Sequence, residues 1–261
     1  MKLFDTHAHI GLLQDDKMEQ LLAVQRAKVR GVQYVVSITN SLGDFERTYA
    51  NLESASSVLH AVGVSPTEAA NPGRDWDERV IAHAQSKRRI VAIGETGLDY
   101  HHMFGGDKGV QIELMLRHLE IARTLGLPVI IHNRNAGEDL LGILRAQLPP
   151  KGGILHCYTE DWAFAKKALD LNLSFSFAGN LTFRTSRLLH EVASRLPMER
   201  ILIESEAPFM TPFAYKGERN KIHYIVETAK TLAELREAPL EEITDVLYAN
   251  SLKAFGLESD A

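Results

Sequence analysis

One cysteine, Cys157, is all that the chain carries among its 261 residues. A single thiol excludes an internal disulfide and suits a reducing compartment, so a cytoplasmic setting is expected. Long apolar runs are missing too. No stretch approaches the roughly 18 residues of a membrane span. The opening residues, Met1-Lys2-Leu3-Phe4-Asp5-Thr6-His7, meet Asp5 and His7 too soon to form the apolar core of a secretory signal. Charge of one sign is not concentrated anywhere. The net charge of −5 argues against a surface that coats nucleic acid generally. It leaves room for a small basic cleft, because bound divalent cations would add positive charge locally. No low-complexity tract or composition break marks a linker. Residues 1–261 are therefore read as one domain, since an α/β barrel ordinarily occupies about 250 residues.

What the chain does have is alternation. Short runs rich in Val, Ile, Leu and Phe predict strands near 3–7, 33–38, 58–64, 90–95, 128–132, 153–157, 172–177 and 201–206. Helical spacing fills the gaps, over 44–56, 76–87, 110–125, 137–147, 161–171, 185–195, 221–236 and 240–255. Ile112, Met115, Leu116, Leu119, Ala122 and Leu125 form one apolar stripe. Gly126 stands where a terminating glycine belongs, and Pro128 blocks continuation. Asp16, three residues before Glu19, can cap the first long helix. Eight strand–helix repeats imply right-handed βαβ units closed into a (β/α)8 TIM-like barrel, with an open doubly wound sheet as the alternative. The irregular stretches 65–76 and 207–221 should lie on the ligand side.

Five of the strands end in residues that can hold a metal: His7-Ala-His9, Glu95, His132, His156 and Glu206. Strand-end positions in a parallel barrel converge on one mouth. Alternation puts Asp5, His7 and His9 on one face, so two imidazoles meet one cation and Asp5, deeper, would orient an imidazole from behind. Glu95 has two carboxylate oxygens with which to bridge two cations, and its flanking glycines permit close approach. Two acids on the apolar eighth strand are costly unless paired or metal-bound. Glu206 is assigned to the metal and Glu204 to its support.

At these residues the chain resembles the TatD family of metal-dependent hydrolases, within the wider amidohydrolase-type barrels. Asp5-Thr6-His7-Ala8-His9, Gly94-Glu95-Thr96-Gly97-Leu98-Asp99-Tyr100, Leu127-Pro128-Val129-Ile130-Ile131-His132 and His156-Cys157-Tyr158-Thr159 match its motifs in order. The resemblance implies a TIM-like barrel, two divalent metal ions (Zn, Mn, Mg, Co or Ni) and a 3′→5′ deoxyribonuclease acting on single-stranded DNA or 3′ ends. It also implies His7, His9, Glu95 and Glu206 on one ion, and Glu95, His132 and His156 on the other. Three departures stand out. Glu206 replaces the family's usual Asp, Ser65 its usual His, and Arg219-Asn220-Lys221-Ile222 keeps two of four motif positions.

On the nuclease reading, Glu206 accepts a proton from the attacking water. Arg134, Arg184 and Arg219 are candidates for a substrate phosphate. Lys216 and Lys221 would extend a basic cluster, and one of Tyr100, His101 and His102 would stack on a base. Cys157 reads as a packing residue, with no base motif to make it a nucleophile. No membrane and no obligate protein partner is expected. Two other readings stay open: a barrel hydrolase of a small ester, amide or cyclic phosphate, and a non-catalytic metal-binding barrel.

Overall fold

In the computed structural model, which describes residues 1–101 and 106–258, eight parallel strands follow one another around a barrel in chain order. They are β1 (Leu3–Ala8), β2 (Val32–Ser37), β3 (Val58–Val62), β4 (Ile90–Asp99), β5 (Val129–Arg134), β6 (Gly153–Leu155), β7 (Leu173–Phe177) and β8 (Ile201–Ile203). The helices are α1 (Ile10–Leu13), α2 (Lys17–Val29), α3 (Leu42–Leu52), α4 (Trp76–Ser86), α5 (Lys108–Leu125), α6 (Gly137–Gln147), α7 (Trp162–Leu169), α8 (Arg187–Arg195), α9 (Ile225–Leu235) and α10 (Leu240–Ala254). This is the expected (β/α)8 TIM-like barrel. No helix among the described residues is long and apolar enough to cross a membrane.

Local chemistry sets the helix ends. Asp16 caps α2, its carboxylate accepting from the amides of Met18 and Glu19. Gly126 ends α5 in the left-handed conformation, at φ 66°.

Strand alternation divides the core in two. One cluster joins Leu3, Val35, Val62, Ile93, Ile131, Phe175 and Ile203 to buried helix residues such as Leu119, Leu140 and Val192. The other gathers the opposite strand faces, including Phe4, Val36, Leu59, Ala92, Ile130, Ile154 and Leu202, with Leu252 and Phe255 from the chain's last turn. Phe255 stacks on Phe4 with ring centres 5.5 Å apart.

The seam between β8 and β1 is closed partly by side chains. Thr6 Oγ1 donates to the Ile203 carbonyl (3.1 Å), and the Asp5 carboxylate accepts from the Ser205 amide (2.8 Å). Backbone bonds then take over, from Glu206 N to His7 O (3.0 Å) and from His9 N to Ala207 O (2.8 Å).

Several strand ends differ from expectation, and three of them shape the mouth. β4 does not stop at Glu95 but runs on to Asp99, pairing Gly97 with His132 and Asp99 with Arg134. Gly97 makes this possible. A β-carbon there would lie 2.8 Å from the His132 amide nitrogen, so only glycine lets β4 hug β5. β6 and β8 stop early, leaving His156 and Glu206 in the turns just beyond them.

Candidate metal centre

Every predicted ligand converges at the carboxyl end of the barrel. Glu95 is central and buried. Its Oε1 lies 2.8 Å from His132 Nδ1 and 3.2 Å from His156 Nε2, and those two nitrogens are 3.2 Å apart. Its Oε2 lies 3.8 Å from His7 Nε2 and 3.9 Å from His9 Nε2, and that nitrogen pair is also 3.2 Å apart. One carboxylate thus presents a different oxygen to each imidazole pair. Glu206 Oε2 adds to the His7–His9 pair, at 3.3 Å from His7 Nε2.

The Glu95 Oε1–His132–His156 triangle and the His7–His9–Glu206 contacts fit a metal, while the Glu95 Oε2 distances of 3.8 and 3.9 Å are wider. Donors about 2.0–2.2 Å from a shared tetrahedral cation stand about 3–3.5 Å from each other. The protonation pattern points the same way. His132 Nε2–H donates to Asp99 Oδ2 at 3.1 Å, which leaves Nδ1 as a lone pair in the neutral ring. That lone pair faces a carboxylate oxygen and a third ring nitrogen, a triangle of acceptors that must share a proton or a cation. Glu206 Oε2 is buried with no hydrogen-bond partner. The residues therefore fit divalent cations bound through nitrogen and oxygen.

Burial drives the electrostatics. It holds His9 down to about 4, and His7 well below its usual value with help from the neighbouring His156 and His9 rings. Both rings are thus neutral ligands at ordinary pH. Burial also pushes the Glu206 carboxyl well above the usual carboxylate range. Burial opposes charge on His156, but the Glu95 and Glu204 carboxylates outweigh it and raise the ring's proton affinity. A bound cation would compete with that proton.

Two supporting acids act differently from expectation. Asp5 makes no hydrogen bond to an imidazole among the described residues; its Oδ1 accepts from the backbone amides of His7 (3.2 Å) and Ser205 (2.8 Å). It ties together the two chain segments that carry His7 and Glu206, and burial raises its carboxyl to about 7. Glu204 does not brace Glu206. Its Oε1 accepts from the Cys157 amide (2.8 Å) and lies 3.4 Å from His156 Nδ1. The residue that does orient an imidazole is Asp99, which sequence reasoning missed. Its signal was present: it stands four residues after Glu95 in the same motif, an even spacing that keeps one strand face.

The ligand cluster opens onto a cavity of about 550 Å³ lined by His9, Glu95, His132, Arg134, Glu206 and Phe209, among others. Ser65, Cys157 and Met210 also line it. Arg134 is exposed at this mouth. Arg184 and Arg219 are exposed but do not line the cavity. Arg219 donates instead to the Leu12 carbonyl. Lys221 is taken up by Tyr224 and Glu218. Tyr100 donates to Asp139 (2.9 Å), and the Lys108 ammonium covers one face of its ring. His102 lies outside the described residues. The Cys157 thiol is held well above its usual value by burial and then by Glu206, in keeping with packing rather than attack.

Comparison with known proteins gives a consistent picture. The family model described as TatD related DNase matches residues 4–256. The chain is 34% identical to the uncharacterized metal-dependent hydrolase YabD of Bacillus subtilis (strain 168), covering 97% of this chain and 98% of that one. It is 34% identical to the uncharacterized metal-dependent hydrolase TatD of Mycobacterium tuberculosis, covering 98% of each. Among solved structures it resembles YjjV, a TatD homolog from Escherichia coli K12, with a TM-score of 0.90 at 26% identity over 98% of each chain.

Proposed function

Since the chain belongs to the family of TatD-related DNases and is a metal-dependent hydrolase, we propose that it cleaves phosphodiester bonds at the 3′ ends of single-stranded DNA with two divalent cations. The observation that carries this reading is Glu95. One carboxylate faces two imidazole pairs through separate oxygens, the arrangement that holds two cations a few Å apart. Such a pair, if bound, would supply the charge stabilisation that an in-line displacement at phosphorus needs.

The cations, when bound, supply Lewis-acid chemistry that acidifies water and offsets charge on phosphate oxygens. The chain supplies the rest. His7 and His9 present neutral nitrogens, His132 and His156 would do so once a cation displaces the proton that their carboxylate neighbours favour, and Asp99 fixes the ring orientation of His132. Glu206 holds an unpartnered buried oxygen beside His7. It is the candidate to take the proton of the attacking water. Arg134, at the mouth, is positioned to pair with a substrate phosphate. Arg184 and Arg219, outside the cavity, are left to reach only a longer strand.

Single-stranded DNA labelled at either end, incubated with Mn²⁺ or Mg²⁺, should shorten from its 3′ end, and His132→Ala should stop the reaction. Hydrolysis of small esters with intact DNA throughout would replace this reading with that of a small-molecule hydrolase.

A further inference from the structure

Three large apolar side chains stand in the open within five residues of one another: Phe209 is 50% exposed, Met210 41% and Phe213 54%. Two of them, Phe209 and Met210, line the cavity that holds the metal ligands. Exposed apolar surface of this kind, gathered at the rim of a polar cavity, marks a contact with something apolar.

A second cost falls on the same place. Met210 has φ 51°, a left-handed backbone that an unbranched L-residue adopts at an expense of about 1 kcal/mol. The fold enforces this turn. Asn220, buried, donates from Nδ2 to the Ser205 carbonyl (2.6 Å) and also to the Phe209 carbonyl. Phe209 N donates to the Glu206 carbonyl at 2.7 Å. Gly179 admits the same segment, since a β-carbon there would sit 2.8 Å from Pro212 N. The turn is thus pinned to Glu206 at one end and to β7's following turn at the other. Strain persists where surrounding structure over-determines it, and it gathers at ligand clamps.

Phe209 is aimed as well as exposed. Its ring lies 5.9 Å from the His9 ring, edge to face at 74°. The ring therefore packs beside an imidazole of the candidate metal centre, and the same half-exposed residue lines the cavity.

We propose that Phe209, backed by Met210, is a fixed stacking wall that recognises the flat ring of the group esterified to the scissile phosphate. On the phosphodiesterase reading above, on which this inference rests, that ring is a nucleobase. Base–aromatic stacking tolerates any base, so the wall would select for the presence of a base and against its absence, without sequence preference. Arg134 on the cavity wall would take the phosphate, leaving recognition of the ring to Phe209. Phe213, which packs edge-on against Phe183 at 5.6 Å, lies further out and does not line the cavity.

The test compares kcat/KM on a short single-stranded oligonucleotide with kcat/KM on the same oligonucleotide lacking its terminal base. The wild type should prefer the base-bearing substrate by about tenfold. Phe209→Ala should bring the ratio toward one, mainly through KM, and Phe209→Trp should restore it. Metal content and melting temperature measured on each variant separate lost recognition from lost folding. Equal cleavage of both substrates by the wild type, or a ratio untouched in Phe209→Ala, would overturn the stacking wall while leaving the nuclease reading standing. Cleavage of neither by the metal-loaded wild type would sink both.

Discussion

Asp99 Oδ2 lies 3.1 Å from His132 Nε2, and that contact decides which ring nitrogen His132 offers to the centre. With Nε2–H committed to Asp99, Nδ1 faces Glu95 at 2.8 Å. His132 is the most exposed of the clustered imidazoles, its side chain 20% exposed, so its orientation depends most on such a partner. Asp99→Asn should weaken metal binding about 10–100-fold while the fold is kept, the usual penalty for losing an outer hydrogen-bond partner. Calorimetric metal titration beside circular dichroism would check this. Unchanged affinity would mean that packing alone orients the ring.

Glu206 stands where the resemblance leads one to expect an aspartate, and the longer acid reaches His7 Nε2 at 3.3 Å. Glu206→Asp withdraws the carboxylate by roughly 1.5 Å. A displacement of about 1 Å can cost 100-fold in rate, so kcat should fall by at least tenfold. A faster variant would show instead that the extra methylene hinders the site.

Cation removal should cost stability as well as activity. The centre leaves Glu206 Oε2 buried without a hydrogen-bond partner, and a cation that binds only the native state stabilises it by mass action. At about 100-fold excess over Kd the gain is about 2.7 kcal/mol. Melting temperature should rise on adding Mn²⁺ or Zn²⁺ to chelator-treated protein, and a flat response across both would contradict a preformed centre.

His118 sets a pH dependence remote from the metal. It is buried in α5, its Nδ1–H donating to the Leu114 carbonyl (2.8 Å) and its Nε2 accepting from the Val64 amide (3.0 Å). Burial lowers its value from 6.5 to about 4. The unfolded ring binds a proton that the native ring refuses between those values. The stability it contributes is whole above pH 6.5 and declines as pH falls toward 4, by up to about 1.4 kcal/mol per unit. Urea denaturation at pH 7 and pH 5 should show a larger loss for the wild type than for His118→Gln. Equal losses would rule out the ring as the source.

The strand–helix alternation was legible along the chain because each element carries its own period and stop signals. The α5 stripe with Gly126 behind it, and Asp16 before α2, are local chemistry acting over a few residues. The misread boundary at Glu95 has a non-local cause: Gly97 lets β4 continue only because β5 lies against it. The same distinction separates the acids. Asp5 and Glu204 could be flagged as costly burials, but their partners, the Ser205 and Cys157 amides, are 200 and 47 residues away.

By itself, then, the sequence determined the barrel and the metal-binding residue types at its mouth. Apolar period is a property of neighbours in the chain, and a histidine or glutamate keeps its donor atoms wherever it is placed. Only the tertiary structure decided which oxygen of Glu95 faces which imidazoles, that Asp99 rather than Asp5 holds a ring, that Arg184 and Arg219 stand outside the cavity, and that Phe209 enters its wall. Those outcomes are distances between remote segments, fixed by how the strands stagger and how the closing turns pack.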